Sequence, residues 1–428
     1  MKVNVIGAGL AGVEATYQLI KRGIKVDLYE MRPVKMTLAH QSDLFAELVC
    51  SNSLRSNDPK VAVGLLKEEM RHLDSIIVKT ADATSVKAGS ALAVDRELFA
   101  TQLTDYLKNH PLVTIINQEV TEILEGYTII ATGPLTSDTL VNQIKKDLKA
   151  ADLSFFDATA PLIYQDSIDF EIAYYKSRYD KGSADYINCP FTEAEYQVFY
   201  EALINAETVV LKDFEKQHFE GCLPIEVMAK RGYQTLLYGP LKPVGLSHNG
   251  KTPFAVVQLR QDNVAGDLYN LVGFQTNLTF PMQKEVFRLI PGLKNAQFLR
   301  YGTMHRNTYL KAPELLNKHY QVKDRPNLFF AGQITGVEGY VESASSGLLA
   351  ALNLSLVIKG QSLPDYEATA IITSLANYIS NAAGDNFQPM KANFGILKRD
   401  QKIPKNKRAE HYYNQALATI NNLKDIYD

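Results

Sequence analysis

The first thirty residues restrict the fold more than any other stretch. Val3–Ile6 is an apolar run, Gly7-Ala-Gly9-Leu10-Ala11-Gly12 follows it, an amphipathic run leads to Gly23, and a second apolar run closes at Glu30. That order reads as strand, tight turn, helix, strand. Gly7 permits the turn, Gly9 lets the backbone approach a pyrophosphate, and Gly12 lets helix pack closely on strand. Leu10 and Ala11 then open a helix whose N–H groups face the phosphates. Glu30 falls where a carboxylate accepts the hydroxyls of a ribose. A GxGxxG run alone is a weak sign; with a strand before it, a helix after it and an acid at the end, it predicts a dinucleotide-binding unit.

A chain of 428 residues with 46% apolar content can bury a large core, as two or three domains or as one domain carrying an insertion. It has no run of eighteen apolar residues and no basic-then-apolar leader, so neither a membrane span nor a secretory signal is expected, and the cytoplasm is the expected compartment. Cys50, Cys189 and Cys222 show no CxxC spacing, which argues against a disulfide framework and a metal site; any important cysteine acts as a thiol. The formal net charge of −2 excludes a globally basic nucleic-acid binder, so RNA contact requires a local patch.

The rest of the chain reads as a second half of the same nucleotide-binding unit, separated from the first by an insertion. Residues 31–57 are polar and irregular and contain Ala46-Glu-Leu-Val-Cys50-Ser-Asn-Ser-Leu54-Arg55. Such residues either satisfy local backbone groups or form a lid over the cofactor with Cys50 facing the chemistry. Helices are predicted over 65–73 and 95–110, the latter from Leu98, Leu103 and Leu107, and strands over 113–116 and 119–124. An apolar strand from Tyr127 ends in Ala-Thr-Gly133, where the chain can pass close to a dinucleotide.

From Leu153 to Pro291 the texture turns to Tyr, Phe and acidic side chains, with a helical run over 193–206 and strand-like runs over 235–239, 254–259 and 270–274. Pro224 suits the first turn of a helix and Gly232 its end, placing Cys222 at a helix N-terminus that stabilises a thiolate; the plain alternative is a small buried hydrophobe. Arg300–Tyr309, carrying His305, Arg306 and Asn307, marks the return to the first domain.

Asn327–Gly347 is again strand, Gly-rich turn and helix, with Gly332-Gln333 and Glu338-Gly339-Tyr340 in the turn and the helix running from Tyr340 through Leu356. One such unit grips only the ADP half of FAD, so a second at the ribityl-phosphate end points to FAD rather than NAD. The expected fold is α/β: a two-part Rossmann-like FAD-binding domain, 1–152 and 292–428, interrupted by an inserted α+β domain, 153–291. With no second complete GxGxxG, a nicotinamide would visit the flavin directly. Near the C-terminal end, Lys398, Arg399, Lys402, Lys405, Lys407 and Arg408 precede His411-Tyr412-Tyr413. This is either an RNA patch whose aromatics stack on bases or a solvated face.

Taken together, the glycine run, the Cys50 stretch, Gly221-Cys222-Leu-Pro-Ile-Glu226, Gly302-Thr-Met-His305-Arg-Asn-Thr308 and Gly332-Gln-Ile-Thr-Gly-Val-Glu-Gly-Tyr340 resemble the folate- and FAD-dependent tRNA uracil-5-methyltransferase family (TrmFO) over nearly the whole chain. The chain is similar, more distantly, to the larger FAD-dependent enzymes that modify wobble uridine. The resemblance implies a reductive methylation: methylenetetrahydrofolate as one-carbon donor, FAD as carrier, NAD(P)H as reductant, and C5 of a uridine as acceptor, in the T-loop of tRNA or in ribosomal RNA. It assigns Cys222 and Cys50 to the nucleophile and its acid–base partner, without fixing which does which, and leaves Cys189 a bystander. The chemistry agrees, because uracil C5 is a poor nucleophile until a thiolate adds at C6, and a second group must remove the C5 proton. His305 or Tyr340 offers a flat face to the folate pteridine. Two further readings stay open: an FAD/NAD(P)H oxidoreductase of a small molecule, and a flavin-bearing RNA-binding factor. Neither needs the cysteine pair.

Overall fold

The structure is a computed structural model and describes residues 1–37, 39–150, 152–180, 183–209, 223–382, 387–398 and 403–427. Val3, Val5 and Ile6, and then Val26 and Leu28, are almost wholly buried, as parallel strands covered on both faces must be. They sit in a six-stranded sheet whose order is Gln321–Val322, Arg325–Phe330, Tyr127–Ile130, Lys2–Ile6, Lys25–Glu30, Val113–Asn117. All neighbours run parallel except the first pair.

Strand Arg325–Phe330 comes back from the far end of the chain to pair with Tyr127–Ile130, in the register Leu328↔Thr128 to Phe330↔Ile130. Ile6, Ile130 and Phe330 therefore end level, and the three turns that follow them share the C-terminal edge of the sheet, where ligands of open α/β sheets bind. Ala131 N–H donates to Ile6 and Ala331 N–H to Ile130, which ties those ends together.

Helices Leu10–Lys21 and Tyr340–Ile358 follow the first and last of these turns and lie side by side. Their contact is nearly backbone on backbone: a Cβ built on Gly347 would lie 2.2 Å from the Ala11 carbonyl oxygen. Helix Tyr340–Ile358 is the one helix among the described residues long and apolar enough to cross a membrane, yet 89% of its most apolar window is buried, so its composition answers to the core.

A ladder of Asp152–Ala158 against Met304–Leu310 carries the chain out of this unit and back. Between them lies a six-stranded antiparallel sheet of order Tyr174–Tyr175, Tyr186–Phe191, Ala255–Gln261, Leu268–Leu271, Leu162–Tyr164, Phe298–Arg300. One face, with Ile163, Ile187, Cys189, Leu259, Tyr269 and Leu271, forms a second core with helices Glu193–Asn205 and Phe280–Phe287. The other face turns toward the nucleotide unit. Phe298–Arg300 completes this sheet by pairing with Leu162 and Ile163, beyond the sequence-drawn boundary at 291.

Several sequence expectations change in detail. Residues 119–124 do not form a strand: the exposed Thr121 and Glu122 stand together and the half-buried Ile123 and Leu124 follow them, so no alternating face exists to pair. Residues 235–238 form a 3-10 turn, in which Thr235 and Leu237 N–H groups donate three residues back to Gly232 and Gln234. Asp95 caps helix Arg96–Lys108 through the Leu98 N–H, a phase that turns Leu98 outward and puts Phe99, Leu103 and Leu107 in the core.

Candidate active site

Both glycine turns open into one cleft of about 380 Å³, within the usual range for small-ligand sites. Its wall includes Gly7, Gly9, Leu10, Ala11, Glu30, Cys50, Arg55, Gly133, Asn307, Gly332, Gln333, Glu338, Gly339 and Tyr340. The closure after strand Tyr127–Ile130 contributes Ala131 to Thr136.

The fit of a dinucleotide can be tested at the glycines. A Cβ on Gly7 would lie 2.7 Å from the Ala131 oxygen and one on Gly12 1.8 Å from the Gly7 oxygen, so both positions are closed to side chains by backbone. Gly9 differs: its backbone is extended, with φ −74°, and a Cβ there would meet no atom within 4 Å. What Gly9 leaves open is the space in front of a helix N-terminus that no side chain caps. Gly339, with φ 115°, opens helix Tyr340–Ile358 in the same uncapped way. Two helix N-termini with orphan N–H groups facing one cleft suit a pyrophosphate and its neighbouring groups.

Glu30 is buried at the end of its strand, where its carboxylate accepts from Ala8 N–H (3.0 Å), Arg32 N–H (3.1 Å) and Arg32 Nε (2.9 Å). Burial would raise its pKa, but the Arg32 guanidinium and these donors outweigh burial and hold it below the ordinary value. Oε2 takes one described donor and keeps lone-pair capacity for a ribose hydroxyl. Arg32 is itself 2% exposed and also reaches Glu47 (3.4 Å) and the Ser42 carbonyl.

At the second turn, Arg55 pairs with the fully buried Glu342, which also accepts the Ala392 N–H. Gln333 donates to Glu338. Tyr340 works through its oxygen, which accepts the N–H groups of Cys50 (2.8 Å) and Ser51 (3.3 Å). Burial pushes its pKa up, and the nearby Cys50 adds to this. The half-buried Cys50 is thus held in the cleft wall by the first residue of the second helix. The other side of its loop belongs to the antiparallel sheet. Arg260 binds Ser51 Oγ (2.6 Å) and Asn52 Oδ1 (3.0 Å), and Asn52 Nδ2 donates to the Gln261 carbonyl (2.9 Å). Arg96 grips Asp262 through two nitrogens (2.8 and 3.1 Å) and also the Leu48 carbonyl.

Asn307 lies on the return strand, 1% exposed, and its Oδ1 lacks a partner among the described residues. His305 and Arg306 sit beside it, opposite Asp157 and Phe156 in the ladder. Cys222 and Arg399 lie outside the described residues. Ile225, three positions after Cys222, donates its N–H to the carbonyl of Gln275, a cleft residue. Cys189 is buried in the second core, where burial raises its thiol pKa. Lys398 pairs with Glu367, and Arg408 bonds the Ile403 carbonyl; Lys405–Lys407 is a short 3-10 turn of the same C-terminal segment, and Lys398, Lys407 and Arg408 are not among the described residues that line the cleft. A different lysine, Lys391, lines it. Sequence reading missed Lys391, Arg32, Arg96, Arg260 and Asp262. Isolated basic or acidic residues in a chain carry no mark of the partners they meet.

The comparisons with known proteins point one way. Residues 2–362 match the model of the family described as glucose inhibited division protein A. The chain is 61% identical over 423 residues to the methylenetetrahydrofolate–tRNA-(uracil-5-)-methyltransferase TrmFO of Bacillus subtilis strain 168, covering 98% of this chain and 97% of that one. It is 59% identical over 429 residues to the protein of that name from Bacillus cytotoxicus, covering 99% of each. Among solved structures, Aquifex aeolicus GidA in its form I crystal superposes with a TM-score of 0.74 at 17% identity, over 100% of this chain and 76% of that one, a likeness of fold.

Proposed function

The chain belongs to the glucose inhibited division protein A family and, within it, to the methylenetetrahydrofolate–tRNA-(uracil-5-)-methyltransferases, and from that premise we propose that it makes 5-methyluridine in the T-loop of tRNA. The one-carbon unit comes from methylenetetrahydrofolate and the electrons from NAD(P)H. The single observation that carries this reading is Cys50 in the wall of the cleft onto which both glycine turns open.

The N-termini behind Gly9 and Gly339 hold the phosphate side of FAD, Glu30 takes the ribose, and Asn307 Oδ1 accepts from a ring N–H. Bound FAD supplies the carrier for the one-carbon unit and its reduction to a methyl group. The thiolate of Cys222 adds to uracil C6, and Cys50 moves the C5 proton. The nucleotide unit lies on either side of an insertion that begins near 153 and runs past 291 to take in strand Phe298–Arg300, and the basic segment from Lys398 to Arg408 meets the RNA backbone. The enzyme works in the cytoplasm.

The test is incubation of the FAD-loaded protein with methylene-labelled folate, NAD(P)H and, separately, unmodified tRNA and ribosomal RNA. Label is expected at C5 of a T-loop uridine. Label in ribosomal RNA alone would move the substrate, and label in neither would remove the methylation.

A further inference from the structure

The antiparallel sheet carries a row of side chains that begins beside Arg260 and runs on past it. Its register places Tyr186 beside Arg260, Arg260 beside Asn270, Asn270 beside Leu162, and Leu162 beside Arg300. Side chains paired across strands share a face, and the neighbours of this row, Ile187, Leu259, Leu271 and Ile163, all point into the second core. Arg300 joins the row only because the pairing slips between Phe298 and Arg300, the sort of irregularity that re-aims a side chain beside a site. At the near end of the row Arg260 lines the cleft and grips the Cys50 loop. At the far end, Arg300 Nε and Nη2 are buried and have no acceptor among the described residues; neither has Asn270 Nδ2, on a residue only 3% exposed. Arg300 nevertheless feels the charges of Cys50, Arg96 and Asp262.

Donors buried in this way cost free energy unless something comes to accept from them. The charges sharpen the point. Asp262 is taken by Arg96, and Arg260 bonds neutral oxygens, so Arg260 brings positive charge to the cleft wall beside Cys50 and Arg300 adds to it from behind that wall. When a thiolate sulfur forms its bond to uracil C6, the C5=C6 π pair shifts to C4–C5 and the C4=O π pair settles on O4. An oxyanion forms that water would otherwise have to stabilise.

Building on the methyltransferase reading, we propose that Arg300, with Asn270 on the far side of Leu162 in the same row, donates hydrogen bonds to O4 of the target uracil and holds the negative charge that O4 gains on thiolate addition. The charge rests on O4 from formation of the S–C6 bond until C5 bonds the one-carbon unit, returns when C5 loses its proton and is gone once the thiolate has left, so the stabilisation accelerates the pyrimidine steps alone.

The test uses FAD-loaded full-length protein with methylenetetrahydrofolate, NADPH and tRNA tritiated at uracil C5, with tritium release as the readout of C6 addition, bond formation from C5 to the one-carbon unit and the C5 deprotonation that follows. Flavin reduction by NADPH and the KM for methylenetetrahydrofolate are followed in parallel. Arg300→Gln is expected to slow tritium release about 100-fold, in line with loss of an oxyanion donor, with flavin reduction and folate KM unchanged. Arg300→Lys should recover part of the rate, and Asn270→Ala should lose less. A raised folate KM with normal tritium release would assign the row to the carboxylates of folate and overturn the proposal. If Arg300→Gln fails to retain flavin, unchanged tritium release in flavin-loaded Asn270→Ala overturns it. Absence of tritium release from the unsubstituted enzyme would instead defeat the methyltransferase reading.

Discussion

Arg32 is the residue on which the ribose end of the cleft depends. Its backbone and side chain supply two of the three donors on Glu30, and almost none of it meets water. Arg32→Ala leaves the Glu30 carboxylate buried without its counter-charge, at a cost of about 3–5 kcal/mol. The expected outcome is a lower melting temperature and weakened FAD binding, read by thermal scans with and without FAD; unchanged values for both would contradict it. Because the folded pKa of Glu30 is depressed, its contribution is present above the unfolded value near 4.5 and is lost as pH falls through the folded one. At this scale, legibility followed sequence distance. Gly7, Gly9, Gly12 and Glu30 stand at spacings fixed by one turn and one helix, and could be read. Arg96 and Asp262, or Asn52 and Arg260, are joined only by folding, 166 and 208 positions apart, and nothing local announces them.

Among the elements, the two glycine-headed helices do the positioning, and their neighbours hold them. Helix Ala62–His72 brings Glu69 under the start of helix Ile371–Asn381, where its carboxylate accepts the N–H groups of Ile371 and Ile372, each at 2.8 Å. Burial outweighs these two donors and pushes Glu69 up to about 8. The folded protein therefore keeps a proton that the unfolded chain releases near 4.5, so this group makes stability fall as pH rises from about 4.5 to about 8. Glu69→Gln should flatten that fall, making the melting temperature less different between pH 5 and pH 8 than in the unsubstituted protein; an identical difference in both would contradict it. Helix Tyr340–Ile358 was legible because Gly-rich turn and small-residue run lie together in sequence. The stretch 119–124 was misread because its apolar residues suggest a strand while the sheet ends one strand earlier, at Val113–Asn117.

For the whole molecule, the decisive fact is that chain ends far apart in sequence meet on one sheet edge, while the inserted sheet closes over Cys50 from the other side. The two-part nucleotide unit could be inferred, since each half carries its own turn. The packing of the second sheet against the Cys50 loop could not, because Arg260 and Asn52 belong to segments without a shared pattern. That convergence makes one claim above all: two uncapped helix N-termini clasp a single FAD. Gly9 offers the cleanest probe, since its extended backbone accepts any residue and a side chain there meets only the open cleft. The measurement is the identity and amount of flavin released by heat from purified protein supplied with FAD. The account predicts one FAD per chain in the unsubstituted protein and none in a Gly9→Val variant of unchanged helix content. A protein that retains no flavin, or a Gly9→Val variant that keeps its full share, would contradict it.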